Sequence, residues 1–414
     1  MESLGKLLFK LTGGKLDAVD DTSVFIILAV SFIGFILAMI FGAVAFGTNF
    51  CTMGGVSDWI NMDDKNRLRA WFLAIGVAIL GTQLLAISGA LDLTKTMYYR
   101  PPRLRLAAHI AGGFMFGVGM TMAGGCGQRI LVRLGGGNLK SLVVVLVMGV
   151  TALLTNGGIL TYLYTPEQGE VAAKGFAKLD IVFGKEGGIA NSGMHTIMAG
   201  LLGSKSSALW QKILTGVFGL GFVAYAFISK EFLKSFKDIL AGATIGIFVV
   251  LGWYVTGKLG QNPEAFAMGG TPPMVESFSF VAPTGRTIQY LTTFTGDKIR
   301  FAVTIVLGMV FGAFLFAIIT RRFHIETFTT KSDMSNHLIG AVLMGVGGVL
   351  ALGCTIGQGV TGLSTLALGP LFSLIFIILG SVFTLKMQYH LLEEKGFMWA
   401  LKTTLSEAIP GKKG

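Results

Sequence analysis

From Thr22 to Ser57 this chain carries no Asp, Glu, Lys or Arg, and five more windows share that property: Ala70 to Leu91, Ser141 to Pro166, Ile239 to Gly257, Phe301 to Thr320 and Leu338 to Leu385. About 20 helical residues cross the roughly 30 Å of a bilayer's hydrocarbon, so each window is a candidate transmembrane helix. The last window would measure about 72 Å as a single helix, so it turns within or near the membrane without a charged loop. Adding Leu106 to Gly125, interrupted by His109, and Ser206 to Ser229, which carries Lys212, gives about nine crossings. A water-soluble domain is excluded by 52% hydrophobic and 13% charged residues. The expected class is an all-α polytopic membrane protein. The net charge of +11 is scattered through short segments between apolar spans, which fits membrane lipid as a partner and not nucleic acid. Lys and Arg divide almost evenly between alternate loops, so charge bias does not set the orientation.

Within this apolar chain one stretch is written twice. His109, Gly112, Gly117, Val118, Gly119, Ala123, Gly125 and Cys126 recur at the same spacing as His337, Gly340, Gly345, Val346, Gly347, Ala351, Gly353 and Cys354. Cys51 belongs to the set more loosely, through Gly42 nine residues before it. A first membrane repeat is expected over 1–164, a linker with one transmembrane helix over 165–236, a second repeat over 237–390 and a polar tail over 391–414. One crossing between the halves would make the second repeat inverted, a common transporter design. Thr165 to Ser204 and Gly257 to Arg300 read as connections, the latter because Pro263, Pro272, Pro273 and Pro283 oppose a regular helix. Counting back from Cys354 by the Cys51-to-Cys126 separation lands on Ser279, so the fourth unit has no cysteine.

The 59 glycines need a reason, because glycine weakens a helix by about 1 kcal/mol against alanine. Glycine lets membrane helices touch, and it lets a helix break where backbone amides face a cavity. Gly124-Gly125-Cys126-Gly127 and Gly353-Cys354-Thr355-Ile356-Gly357-Gln358-Gly359 read as such breaks, each restarting as a half-helix whose N-terminal amides suit an anion. Around them Gln128, Gln358, Thr355 and Asn49 supply polar groups, and Arg129 and Arg133 can attract anions. A thiol binds a large sulfur-bearing ligand without trapping it. A thiolate could instead accept a sulfane sulfur and pass it on, and the residues by themselves favour neither use.

Gly353 to Gly359 with Thr361-Gly362, and Asn49-Phe50-Cys51-Thr52-Met53-Gly54-Gly55-Val56-Ser57-Asp58-Trp59, resemble the YeeE/YedE sulfur-transport family. The resemblance implies a bacterial inner-membrane protein with an inverted repeat and re-entrant half-helices. It also implies a narrow path lined by three cysteines, here Cys51, Cys126 and Cys354, that takes up thiosulfate. The function this resemblance implies is therefore transport of a small sulfur-containing anion, with thiosulfate the expected substrate. Gly125 and Gly353 belong to the same path. The alternative is a membrane sulfurtransferase that relays sulfane sulfur or a selenium species to a cytoplasmic carrier protein.

One cysteine in an apolar helix is ordinarily packing, but three at matched positions are not. His109 and His337 each precede a cysteine by 17 residues, about 26 Å of helix, and are expected near the opposite interface. No His-x-x-x-His or Cys-x-x-Cys and no Gly-Lys-Ser/Thr occurs, so neither a metal, a nucleotide nor any other cofactor is expected. The spans are essentially free of Asp and Glu, which leaves no embedded proton relay in view.

Overall fold

A computed structural model describes residues 21–99, 103–163, 181–182, 191–203, 206–263, 272–294, 296, 299–391 and 397–408. Among them are nine helical spans long and apolar enough to cross a membrane. The chain is an all-α polytopic membrane protein; the described residues hold a single two-residue ladder, Arg103–Leu104 against Ile181–Val182.

The first six helices are α1 (Asp21–Thr48), α2 (Thr52–Met62), α3 (Asn66–Ile87), α4 (Leu106–Met122), α5 (Gly127–Gly135) and α6 (Leu139–Gly157). Short α7 (Met194–Leu201) precedes a span made of α8 (Ser207–Leu214), a π-helical turn and α9 (Gly221–Phe227), and α10 (Lys230–Lys234) follows. The second set is α11 (Phe236–Tyr254), α12 (Val281–Thr292), α13 (Phe301–Ile319), α14 (Lys331–Leu350), a π-helical segment (Thr355–Gly362) and α15 (Leu368–Leu391), with α16 (Phe397–Ala408) last.

The two sets use one packing plan twice. Helix α1 lies along α13 as α11 lies along α3, and α4 lies along α15 as α14 lies along α6. The short helices obey the same exchange: α2 meets α15 as α12 meets α6, and α5 meets α13 as the π-helical segment meets α3. Helices α4 and α14 cross each other on the axis of this exchange.

The repeated glycines make that crossing. A Cβ on Gly119 would stand 2.7 Å from the Gly340 carbonyl, and one on Gly347 would stand 2.7 Å from the Gly112 carbonyl. Gly112 and Gly119 of one copy therefore face Gly347 and Gly340 of the other, backbone on backbone, as small residues allow between membrane helices. Around this core, Phe41 stacks on Phe278 at 5.2 Å and meets Phe280 at 5.8 Å, all three rings fully buried. Phe25, Phe32, Ile318 and Ile319 face outward, where lipid replaces water.

Two connections differ from the expectation. The stretch Gly257 to Arg300 is not wholly outside the bundle: residues 274–280 run into the core and α12 restarts there. Pro283 is tolerated because it lies in the first turn of α12, where its missing N–H breaks no helical bond. Part of the stretch Thr165 to Ser204 also docks against the membrane core. Leu368 N–H donates to Ser192 O at 3.0 Å and Met194 N–H to Leu366 O at 2.8 Å. Residues 165–180, 183–190 and 204 of that stretch lie outside the described residues.

Candidate functional site

All three cysteines stand at the start of a short helix, and each is reached through the same backbone device. The residue two before the cysteine is left-handed in every case: Asn49 at φ 57°, Gly124 at φ 71° and Leu352 at φ 61°. In the two repeated breaks the turn closes identically, with Gly125 N–H donating to Met120 O at 2.8 Å and Gly353 N–H to Gly348 O at 2.7 Å. This closure ends α4 and α14 and frees the next residue to cap a new helix. A bulky residue seldom takes this φ; glycine and asparagine do so readily, and Leu352 carries the strain.

Cys51, Cys126 and Cys354 are all buried, and all are free thiols. Gly54 N–H donates to Cys51 Sγ and Gly357 N–H donates to Cys354 Sγ, both at 3.4 Å. The sulfur thus does the work of a serine or aspartate N-cap, which places it over the amides of the first turn.

The breaks converge. The thiols of Cys51 and Cys126 face each other, and Cys126 also faces the Thr355 hydroxyl, one residue past Cys354. Cys354 meets the Ser279 side chain and the Phe280 amide. Gly357 packs so closely on Ser279 that a Cβ there would come within 2.5 Å of its Oγ. Register counting thus names the residue that fills the fourth position, one residue before the N-cap of α12, and the four positions form one row: Cys51, Cys126, Thr355 with Cys354, then Ser279.

Polar groups without partners sit along that row. Both amide atoms of Gln358, the Gln128 Oε1 and the Thr355 Oγ1 are buried with no hydrogen bond of full geometry, while Gln128 Nε2 donates to Phe50 O at 3.3 Å. Unpaired amides in an apolar interior cost about 1–3 kcal/mol each, so they signal a ligand or a strained core.

The Cys51 end is basic. Arg129 lies near Cys51, Cys126, Arg133 and Arg67. Arg129 Nη1 donates to Asn49 Oδ1 at 3.0 Å, and Arg133 Nη1 to Gly124 O at 3.1 Å. Arg67 overlies Gly54 and pairs with Asp58 at 3.2 Å. At the other end Tyr98 donates its hydroxyl to Gly357 O. Burial first, then the nearby Cys354 and Glu276, hold its phenol above the ordinary tyrosine value, so it remains a donor at neutral pH.

The histidines lie a helix length from the cysteine that follows them, as spacing requires, yet near the opposite repeat's break. His109 is buried; its Nδ1 bonds Ser373 Oγ at 2.7 Å, and Ser373 Oγ donates to Ala351 O at 3.3 Å, beside Leu352. His337 approaches Gly124 in the equivalent place. His109 thus steadies, through Ser373, the turn that presents the other copy's cysteine, and His337 packs beside the turn before Cys126. Their repetition was visible in the sequence; the antiparallel crossing that assigns their targets was not.

A sequence model of the family described as Sulphur transport matches residues 47–383, a range that contains all four breaks. The chain belongs to the sulphur-transport family. Two relatives are each named "Thiosulfate transporter TsuA". The one from Escherichia coli (strain K12) is 25% identical over 361 residues, covering 84% of this chain and 91% of the relative. The one from Spirochaeta thermophila is 23% identical over 350 residues, covering 84% and 96%. The family resemblance read from the cysteine motifs is thereby established, and this family member is a multi-pass membrane protein.

Three residues near the row were missed in the sequence: Tyr98, Glu276 and Arg286. Glu276 lies outside the spans expected to lack carboxylates, in the connection Gly257 to Arg300, yet its side chain is only 15% exposed. Its signal lay in the register, three residues before Ser279. Among the described residues no cluster of three His, Cys, Asp or Glu could hold a metal ion.

Proposed function

We propose that the protein is a bacterial inner-membrane permease for thiosulfate, passed along the row Cys51, Cys126, Thr355 with Cys354, and Ser279. The observation that carries this reading is the row itself. Three cysteines stand at the starts of short helices in the centre of an apolar bundle, two of them capping through sulfur, and the Gln358 carboxamide between them lacks partners. A sulfur-bearing dianion meets soft thiols, amide donors at helix starts and the Gln358 carboxamide, and no buried lysine that would hold it fast. Arg129 and Arg133, with Asn49, gather the anion at one mouth by charge. Gly125 and Gly353 shape the turns that present the thiols. The names of both relatives support thiosulfate as the substrate.

On this reading the repeats span 1–164 and 237–390, and the second is inverted. Among the described residues five spans precede α11, so α11 runs opposite to α1, and the paired packing of the two sets supports the assignment. A downstream carrier protein that consumes the sulfur would draw the substrate inward.

The test is uptake of radiolabelled thiosulfate by cells lacking other importers, with expression monitored. Ala at Cys51, Cys126 or Cys354 should each abolish uptake. Full uptake by all three variants would sink the proposal. Serine separates permeation from relay, because a hydroxyl can still cap and bind but cannot carry a persulfide.

A further inference from the structure

The cations that gather at the Cys51 end have no counterpart in the row's other half until one passes Ser279. There a cavity of about 90 Å³ opens, lined by Tyr98, Asn156, Glu276, Ser279, Arg286 and Leu352 among others. A water needs on the order of 10–15 Å³ by this measure, so a small anion with some of its hydration fits. Arg286 stands on the second turn of α12 with 29% of its side chain exposed, and Glu276 Oε2 lies 3.7 Å from its Nη1. That is too far for a hydrogen bond. Glu276 is engaged elsewhere, for its carboxylate faces the Ala302 amide in the first turn of α13, a favourable place for an anion. A guanidinium with five N–H donors thus borders a cavity that adjoins the Cys354 break, paired with a carboxylate by charge but not by a hydrogen bond.

We propose that Arg286 is the anion-binding station of the second mouth, and that Glu276 is a resident counter-ion displaced when a small oxyanion arrives. The inference rests on the path proposed above. Arginine's planar fork matches an oxyanion edge, which a second thiol could not do. Conduction also demands release, and a lone arginine in a half-buried cavity would bind an anion too tightly to let it go. Glu276 solves this by competition. It leaves the guanidinium without becoming unpaired, because the α13 amide still holds it, and returns when the anion departs.

The experiment measures KM and maximal rate of radiolabelled thiosulfate uptake in proteoliposomes, together with thiosulfate binding to the detergent-purified protein by calorimetry. The variants are R286Q, R286K and E276Q, each checked by gel filtration and melting temperature. R286Q should raise KM and Kd at least tenfold, with R286K recovering part of the loss through charge without the fork. E276Q should move the opposite way, lowering Kd at least threefold while the maximal rate falls as release slows. If R286Q leaves Kd unchanged, or if E276Q and R286Q weaken binding alike, the pair is structural and the proposal is overturned. If Cys126→Ala transports normally while Kd still depends on Arg286, the station stands and the cysteine path falls.

Discussion

Replacing Gln358 by methionine should stabilise the protein and disable it at once. The side chain is fully buried in the π-helical segment, and neither its Nε2 nor its Oε1 finds a partner. Methionine is unbranched and nearly the same length, so it fills the same space without the amide. Burying an unpaired amide costs about 1–3 kcal/mol in proteins, and the variant should recover that amount in unfolding free energy. Transport should move the other way. A hydrogen bond to a charged partner contributes about 1.5–3 kcal/mol, so losing the carboxamide as a donor to the passing anion should cut uptake efficiency roughly 10- to 150-fold. The assay pairs thermal unfolding of the detergent-purified protein with initial rates of thiosulfate uptake in proteoliposomes. A variant that melts lower and transports normally would show that the amide is a strut, and would refute its assignment to the path.

The same logic makes Thr355→Val a milder version, with uptake reduced about tenfold and melting unchanged or raised; normal uptake would remove the hydroxyl from the path. Gly119→Ala puts a Cβ 2.7 Å from the Gly340 carbonyl and 2.8 Å from the Met344 nitrogen, and should destabilise by about 1–3 kcal/mol in a melting assay. Gly124→Ala tests the left-handed turn almost alone, since the nearest atom to its Cβ is Arg133 Nη1 at 3.4 Å; a loss of about 1–2 kcal/mol is expected, and no loss would mean the turn is not fixed. Burial pushes the carboxyl of Glu326, in the loop before α14, upward, but Lys140 at 3.2 Å together with Arg133 and Asn138 holds it below the usual glutamate value. A depressed pKa contributes stability above the unfolded value that fades as pH falls through the folded one. The melting-temperature gap between wild type and Glu326→Gln should therefore be present near pH 7 and close below about pH 4; a gap that ignores pH would count against the pairing.

Much of this architecture is legible without coordinates because a bilayer leaves few choices. Charge-free runs such as Thr22 to Ser57 become spanning helices, since only a helix satisfies its own backbone in hydrocarbon. The duplication from His109 to Cys126 and from His337 to Cys354 names the helices that must match, and glycine beside cysteine marks where they break. Even the fourth position, Ser279, follows from counting. These are features of order along the chain, and order along the chain is what a sequence records.

What the sequence could not decide is which groups from distant positions share one point. His109 reads as an interfacial residue of α4, yet the antiparallel crossing of α4 on α14 carries it to the turn before Cys354. Glu276 reads as part of a proline-rich outer connection, yet burial of Phe278 and Phe280 against Phe41 draws the segment inward and brings the carboxylate to the row's end. Asn49, Gly124 and Leu352 share a backbone angle that no common residue type announces. In each case the local pattern permits several placements of similar energy, and only the packing of two halves around one axis selects among them. The sequence determined the spans, the repeat and the four breaks; tertiary structure decided that the breaks meet, because helices with glycine faces can approach until their backbones touch.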